Sequence, residues 1–251
     1  MKPSLIILGA QKAGTTALFE MLVKHPWAMP PIKKELHHFA WDWHYAQGMD
    51  HYLASFPKIA PWRRKAFTFE GSPSYLFHAD KVAERIKVNL PEVTCLAILR
   101  DPVKRAYSAW NMNRGFKDDP EQAGAYDPRT FAQAVEDEIA GRTTKPHHLY
   151  LARGNYAGQL LHFKKHFPKE QLLIRSYLDL KRDPNAFVQD ICSHLNIPAI
   201  PKGVELASIR ANTRRYTEKL DPVLAAELYR HFAPELESLN SVLGYQIDIL
   251  E

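Results

Sequence analysis

The chain has 251 residues, 45% of them hydrophobic, enough for a sizeable core, which sets aside intrinsic disorder. Its formal net charge is +5, a balance that fits an anionic ligand such as a nucleotide, a phosphate or a polyanion. No apolar run approaches the roughly 18 residues of a membrane span, no signal-peptide layout precedes the first strand, and two cysteines are too few for a disulfide framework, so a soluble, cytoplasmic protein is expected.

In chain order, Leu5-Ile6-Ile7-Leu8 is a continuous apolar run ending at Gly9, the pattern of a strand buried on both faces of a parallel sheet. A loop over Ala10–Gly14 leads into apolar residues at helical spacing from Thr15 to His25, stopped by Pro26. The stretch from Trp27 to Trp62 is rich in aromatics, His and Pro without a clear period, and reads as loops and short helices. Ala66–Glu70 alternates like a strand, Asp80–Leu90 reads as a helix, and Thr94–Leu99 is a second buried strand containing Cys95. Pro102–Arg114 is a helix with proline in its first turn, Gly115–Pro128 a polar surface loop, and Phe131–Ala140 and Tyr156–His166 further helices. Gln171–Tyr177 is a third buried strand. Asp183-Pro184 and Asp221-Pro222 each place a capping acid before a proline and open helices, the first of which holds Cys192. Strands alternating with helices give an α/β fold, a central parallel sheet flanked by helices, and no repeat or linker divides it, so one domain over residues 1–251 is the simplest organisation.

Gly9-Ala10-Gln11-Lys12-Ala13-Gly14-Thr15-Thr16 follows a buried strand and opens a helix, so it aims backbone N–H groups and a helix N-terminus at one spot, an arrangement that binds phosphate or sulfate. The two glycines have P-loop spacing, yet Thr15 stands where a nucleoside triphosphatase places lysine, and Lys12 lies inside the loop instead. A ligand-free β–α turn has the same outline. A second feature lies roughly 85 residues on: Arg100, at the end of a buried strand, can clamp a phosphate beyond the sheet edge, with Ser108 two helical turns later as a neutral donor. Asp101 reads as the cap of that helix.

Gln11-Lys12-Ala13-Gly14-Thr15-Thr16 resembles the 5′-phosphosulfate loop of sulfotransferases that use 3′-phosphoadenosine-5′-phosphosulfate (PAPS), and Arg100-Asp101-Pro102-Val103-Lys104-Arg105-Ala106-Tyr107-Ser108 resembles their 3′-phosphate motif. The resemblance implies a P-loop-like nucleotide-binding fold, PAPS as donor and adenosine 3′,5′-bisphosphate (PAP) as product. Gln11, Lys12, Ala13, Gly14, Thr15, Thr16, Arg100 and Ser108 would then be the nucleotide contacts.

Glu35-Leu36-His37 resembles the E-x-H-F stretch of the heparan sulfate 3-O-sulfotransferase branch, which implies Glu35 as base, His37 as its partner and Lys12 as the cation at the leaving oxygen; His38 replaces a Phe of the branch. On composition alone, a Glu among Lys and His is an ordinary solvated loop residue. Glu70-Gly71-Ser72-Pro73-Ser74-Tyr75 resembles the branch's E-K-T-P-x-Y, with Gly71 in place of its lysine. Arg214 and Arg215 stand near the branch's nucleotide-covering loop and are candidate phosphate contacts, or a solvated charged loop. Trp41, Trp43 and Tyr45 could stack on an acceptor or belong to the core.

The expected reaction moves a sulfuryl group to a hydroxyl, or an amine, of a carbohydrate or small-molecule acceptor. The twelve histidines are scattered, and the pairs His37-His38 and His147-His148 lack ligand spacing, so no metal is expected. No nucleic-acid partner is expected, and the oligomeric state is not indicated. Two rival classes are a P-loop kinase or other NTPase, which the missing lysine after Gly14 opposes, and a non-catalytic binder of nucleotide or sulfated glycan, which leaves Glu35 unexplained.

Overall fold

A computed structural model describes residues 1–58, 65–209 and 219–251. The strands are β1 (Leu5–Gly9), β2 (Phe69–Gly71), β3 (Thr94–Leu99) and β4 (Leu172–Ser176). The α-helices are α1 (Thr15–Val23), α2 (Asp42–Tyr45), α3 (Gly48–Ala54), α4 (Ser74–Phe77), α5 (Ala79–Asn89), α6 (Pro102–Arg114), α7 (Phe131–Ile139), α8 (Tyr156–His166), α9 (Tyr177–Arg182), α10 (Pro184–His194) and α11 (Pro222–Leu243). Contacts gather the chain into two compact units, Met1–Leu99 with Gln159–Thr213, and Arg100–Gly158 with Arg214–Glu251.

The first unit holds the sheet. Its four strands run in the order β2-β1-β3-β4, all parallel, with Leu5 beside both Phe69 and Thr94, and Cys95 beside Leu172. Every residue of β1 and β3 is buried, the burial that the continuous apolar runs require. β2 is shorter than the alternation over Ala66–Glu70 implies. Phe67 leaves the ladder to form a separate parallel bridge with Ala28, taking the Met29 amide on its carbonyl and giving its own amide to Trp27. Two short helices that the sequence did not announce follow the strands: α4 begins two residues beyond β2, and α9 directly after β4, where it is capped by Ser176, whose hydroxyl accepts from the Leu178 amide. Cys95 and Cys192 are both buried thiols.

The second unit is helical. α6 spans the residues expected, and Asp101 is its cap, its carboxylate accepting from the Lys104 amide at 2.9 Å and from the Tyr229 hydroxyl at 2.7 Å. Thr130 and Gln133 close a reciprocal capping box on α7, and Asp221 caps α11. Val103, Ala106 and Trp110 of α6 form one apolar cluster with Phe131 and Val135 of α7 and Leu228 and Phe232 of α11. Arg105, also on α6, is completely buried and donates to the Tyr150 carbonyl. No helix among the described residues is long and apolar enough to cross a membrane.

Candidate active site

The site in the first unit begins where β1 turns into α1. Gly9 has φ +145°, and Gly14, the residue before α1, has φ +82°. The Ala10 amide bonds back to Ile98 at 2.7 Å and the Ala13 amide to Ala10 at 3.1 Å, which folds the loop tightly over the strand ends. Gly14, the N-cap of α1, has no side chain with which to cap the helix, a start of the kind that binds an anion. A Cβ on Gly14 would lie 2.9 Å from Leu180 and 3.0 Å from Tyr177. Gly14→Ala therefore combines a left-handed residue with a clash, and is expected to cost about 1–3 kcal/mol of stability, read as a lower melting temperature.

Thr16, in the first turn of α1, joins this loop to the segment before α2. Lys34 donates its ammonium to Thr16 Oγ1 at 2.6 Å and to Glu35 Oε1 at 3.1 Å. The other carboxylate oxygen of Glu35 lies 3.6 Å from His37 Nε2. His37 Nδ1 is 2.7 Å from the Ser74 hydroxyl; when Ser74 donates there, the ring proton sits on Nε2 and faces Glu35. Partial burial pushes the Glu35 carboxyl up, but the nearby His37 imidazole and the adjacent Lys34 ammonium outweigh it and hold the group below the usual glutamate value. Glu35 is thus held as an anion beside the loop between β1 and α1.

Glu35 and His37 both have left-handed backbones, φ 61° and 51°. Such conformations persist in non-glycine residues where surrounding bonds over-determine them. Here the His37 amide donates to Ser72 Oγ at 2.9 Å and the Phe39 amide to Tyr75 Oη at 3.3 Å. Both hydroxyls in turn donate to Glu70 Oε1 at 2.7 Å, and Tyr52 donates to Glu70 Oε2 at 2.7 Å. Glu70 has no exposure, and burial raises its carboxyl above the ordinary range against the pull of the three hydroxyls. Tyr75 is accordingly an internal strut with its ring fully buried. Gly71 supplies no charge, and a Cβ placed on it would lie 3.5 Å from the Ile7 side chain.

An aromatic row starts at His37. Its ring stacks on Trp41 at 4.3 Å between centroids, and Trp41 stacks on Trp43 at 5.8 Å. Trp43 is 62% exposed, which removes it from the core. Asp42, between the two tryptophans, is held by Arg85 at 2.7 Å and Lys81 at 3.1 Å, fastening α2 to α5. His38 faces the other way, buried against Tyr52 and Phe39, and burial together with the charges of His44, His51 and Arg85 drives its imidazole down to about 4. It is a packing residue.

Arg100 and Ser108 belong to the second unit. Arg100 donates Nε to the Glu251 carboxylate at 2.6 Å, and its carbonyl accepts from the Tyr156 hydroxyl at 2.9 Å. Ser108, on α6, is 3% exposed. Arg214 and Arg215 lie outside the described residues. Among the described residues, no three His, Cys, Asp or Glu side chains gather where they could hold a metal ion. Of the residues picked out in the sequence, Lys12, Thr16, Glu35 and His37 lie in the first unit. No role was legible in the sequence for Lys34, nor for Glu70, Ser72 and Ser74 within the motif that contains them. Lys34 has an identical neighbour, Lys33, which is exposed, and only the fold tells them apart.

A four-stranded parallel sheet, a glycine-bent loop leading from its first strand into a helix, and a carboxylate fastened beside that helix are the outline of an α/β fold of the P-loop-like kind. A family model described as "sulfotransferase domain" matches residues 2–228, and the chain belongs to that family. It is 31% identical over 198 residues to mouse heparan sulfate glucosamine 3-O-sulfotransferase 5, covering 78% of this chain and 54% of that protein. It is 29% identical over 206 residues to human bifunctional heparan sulfate N-deacetylase/N-sulfotransferase 3, covering 78% of this chain and 22% of that protein. The chain thus spans about half, or less, of these curated relatives. A sulfotransferase from Alicyclobacillus acidocaldarius has the same fold, with TM-score 0.79, 26% identity and 98% of each chain covered. A mouse sulfotransferase complexed with PAP shares the fold alone, with TM-score 0.52, 14% identity, and 99% of this chain and 70% of that one covered.

Proposed function

We propose that this protein transfers a sulfuryl group from PAPS to a hydroxyl of a carbohydrate or small-molecule acceptor, in one in-line displacement. The observation that carries the reading is the chain of contacts from Thr16 through Lys34 to Glu35 and His37. It fastens the Glu35 carboxylate near Thr16, which supports reading Glu35 as the base beside a loop that would cradle the 5′-phosphosulfate. In this reading the loop amides from Gln11 to Thr16 bind the donor, and Lys12 stabilises the charge that develops on the leaving phosphate. Arg100 and Ser108 take the 3′-phosphate, which would replace the Glu251 carboxylate on Arg100. Glu35 removes the acceptor proton as oxygen attacks sulfur, and His37 steadies the carboxylate.

The flat, partly exposed row of Trp41 and Trp43 beside His37 suits an acceptor with an apolar face, whether a sugar ring or an aromatic alcohol. Two buried thiols suit a reducing, cytoplasmic setting.

Titration of the protein with PAP and with ATP and Mg²⁺ separates this reading from a kinase: PAP binds and raises the melting temperature, whereas ATP with Mg²⁺ does not. Arg100→Ala is expected to weaken PAP by roughly 10- to 100-fold, the loss of charge-assisted hydrogen bonds, without unfolding α6, whose cap is Asp101. Labelled PAPS offered with oligosaccharides, small alcohols and phenols then identifies the acceptor. Binding without transfer to any of them would turn the reading toward a nucleotide-binding protein.

A further inference from the structure

We infer that Lys34 is a second catalytic lysine, one that holds the transferring sulfuryl group between the donor loop and the base. The inference rests on the sulfotransferase reading above and adds a residue to it. Lys12 lies within the loop; Lys34 comes from a separate segment, next to the proposed base, and reaches the loop's following helix at Thr16.

The position of the ammonium is defined by two contacts of different kinds. At 2.6 Å it meets the hydroxyl of Thr16, in the first turn of α1. At 3.1 Å it meets the carboxylate of Glu35. A group that touches both the donor cradle and the base lies between the two ends of an in-line reaction, where the sulfuryl oxygens must pass. An ammonium has three donors, and these two contacts use two, so the third can meet a sulfuryl oxygen with both anchors intact. The side chain is 25% exposed, open enough for a ligand to reach. Its Nζ also stands 5.9 Å from the ring centroid of the buried Phe19, which gives the stem an apolar footing. Lys33, next in sequence, is exposed and has the ordinary setting of a surface lysine.

In the step itself the acceptor oxygen forms a bond to sulfur and its proton passes to Glu35. The bond from sulfur to the bridging oxygen breaks, and its electron pair leaves on the 5′-phosphate of PAP. Lys34 stays protonated throughout. It screens the negative sulfuryl oxygens from the approaching nucleophile and keeps Glu35 ionised until the proton arrives.

PAP differs from PAPS by the sulfuryl group alone, so the pair tests Lys34 without a known acceptor. Calorimetric titration of the full chain is expected to show Lys34→Met weakening PAPS about tenfold, as for one hydrogen bond to a charged group, and PAP less than twofold. Lys34→Arg is expected to recover most of the preference for PAPS. In ¹³C-labelled protein, the Glu35 carboxyl is expected to titrate at a higher pH in Lys34→Met than in the native protein. Equal weakening of both ligands, or of neither, would overturn the assignment, as would loss of the native melting transition in both variants. If the native protein binds neither PAP nor PAPS, the sulfotransferase reading falls and Lys34 falls with it. If the native protein binds both and the variants match it, only Lys34 falls.

Discussion

Replacing Glu35 with glutamine is expected to lower turnover on the order of a hundredfold or more while PAP affinity and melting temperature stay close to native. Glutamine keeps the shape of the side chain and an oxygen for the Lys34 ammonium, but it cannot take a proton. The affinity should hold because the donor contacts proposed above, the loop amides, Lys12 and Arg100, do not depend on the Glu35 charge. The pH profile gives a second check. Burial pushes the Glu35 carboxyl up, but the His37 imidazole and the Lys34 charge pull it further down, leaving it below the usual glutamate value. A base with a lowered value stays ionised as the pH falls, so the acid limb of kcat should lie below the ordinary range of about 4.3. His37→Ala removes one of those supports and should move that limb to higher pH. Steady-state transfer from labelled PAPS across pH, run on the native protein and both variants, decides the matter. Near-native turnover in Glu35→Gln would remove Glu35 from the role of base.

The frame of the candidate donor site was legible because its physics is local. A strand buried on both faces must be apolar throughout, a tight β–α turn needs glycine where φ is positive, and an Asp before a Pro marks a helix start. β1, the loop with Gly9 and Gly14, α1, and the Asp101 cap of α6 all follow from neighbours within a few residues. Glu35 and His37 were visible only through their likeness to a known motif, since nothing in the surrounding composition separates a base from a solvated glutamate. The support beneath them was not legible. Tyr52, Glu70, Ser72 and Tyr75 come together because β2 pairs with β1 and α3 folds back over it, and no periodicity announces such a meeting. The short β2 had the same cause, for Phe67 finds its partner at Ala28, a distant residue in an aperiodic stretch. Trp43 was ambiguous for a different reason: a tryptophan in an unpatterned segment is as consistent with a core as with a surface, and only its 62% exposure resolves it.

That hidden support carries the other large effect. Glu70→Ala is expected to destabilise the protein by about 3–5 kcal/mol, a fall in melting temperature on the order of 10 °C, and to abolish most of the transfer activity. The substitution strands the hydroxyls of Tyr52, Ser72 and Tyr75 in a fully buried space. Ser72 and Tyr75 are also the acceptors for the amides of His37 and Phe39, so the left-handed turns at Glu35 and His37 lose the bonds that hold them. Glu70→Gln should do far less harm. Its carbonyl oxygen can still accept from Ser72 and Tyr75, and its amide can donate to a Tyr52 hydroxyl that has rotated. The two variants differ in charge dependence as well. Burial raises the native Glu70 carboxyl above its unfolded value. Between those two values the folded state binds more protons than the unfolded one, so stability is greatest below the unfolded value and declines as pH rises through the folded one. Glutamine has no proton to lose, and Glu70→Gln should therefore lack this contribution to the decline. Melting curves from pH 4 to 8, with PAP affinity and turnover measured on the same samples, test the assignment. A Glu70→Ala protein that melts like the native one, or a Glu70→Gln protein as damaged as Glu70→Ala, would show that Glu70 does not hold the loop.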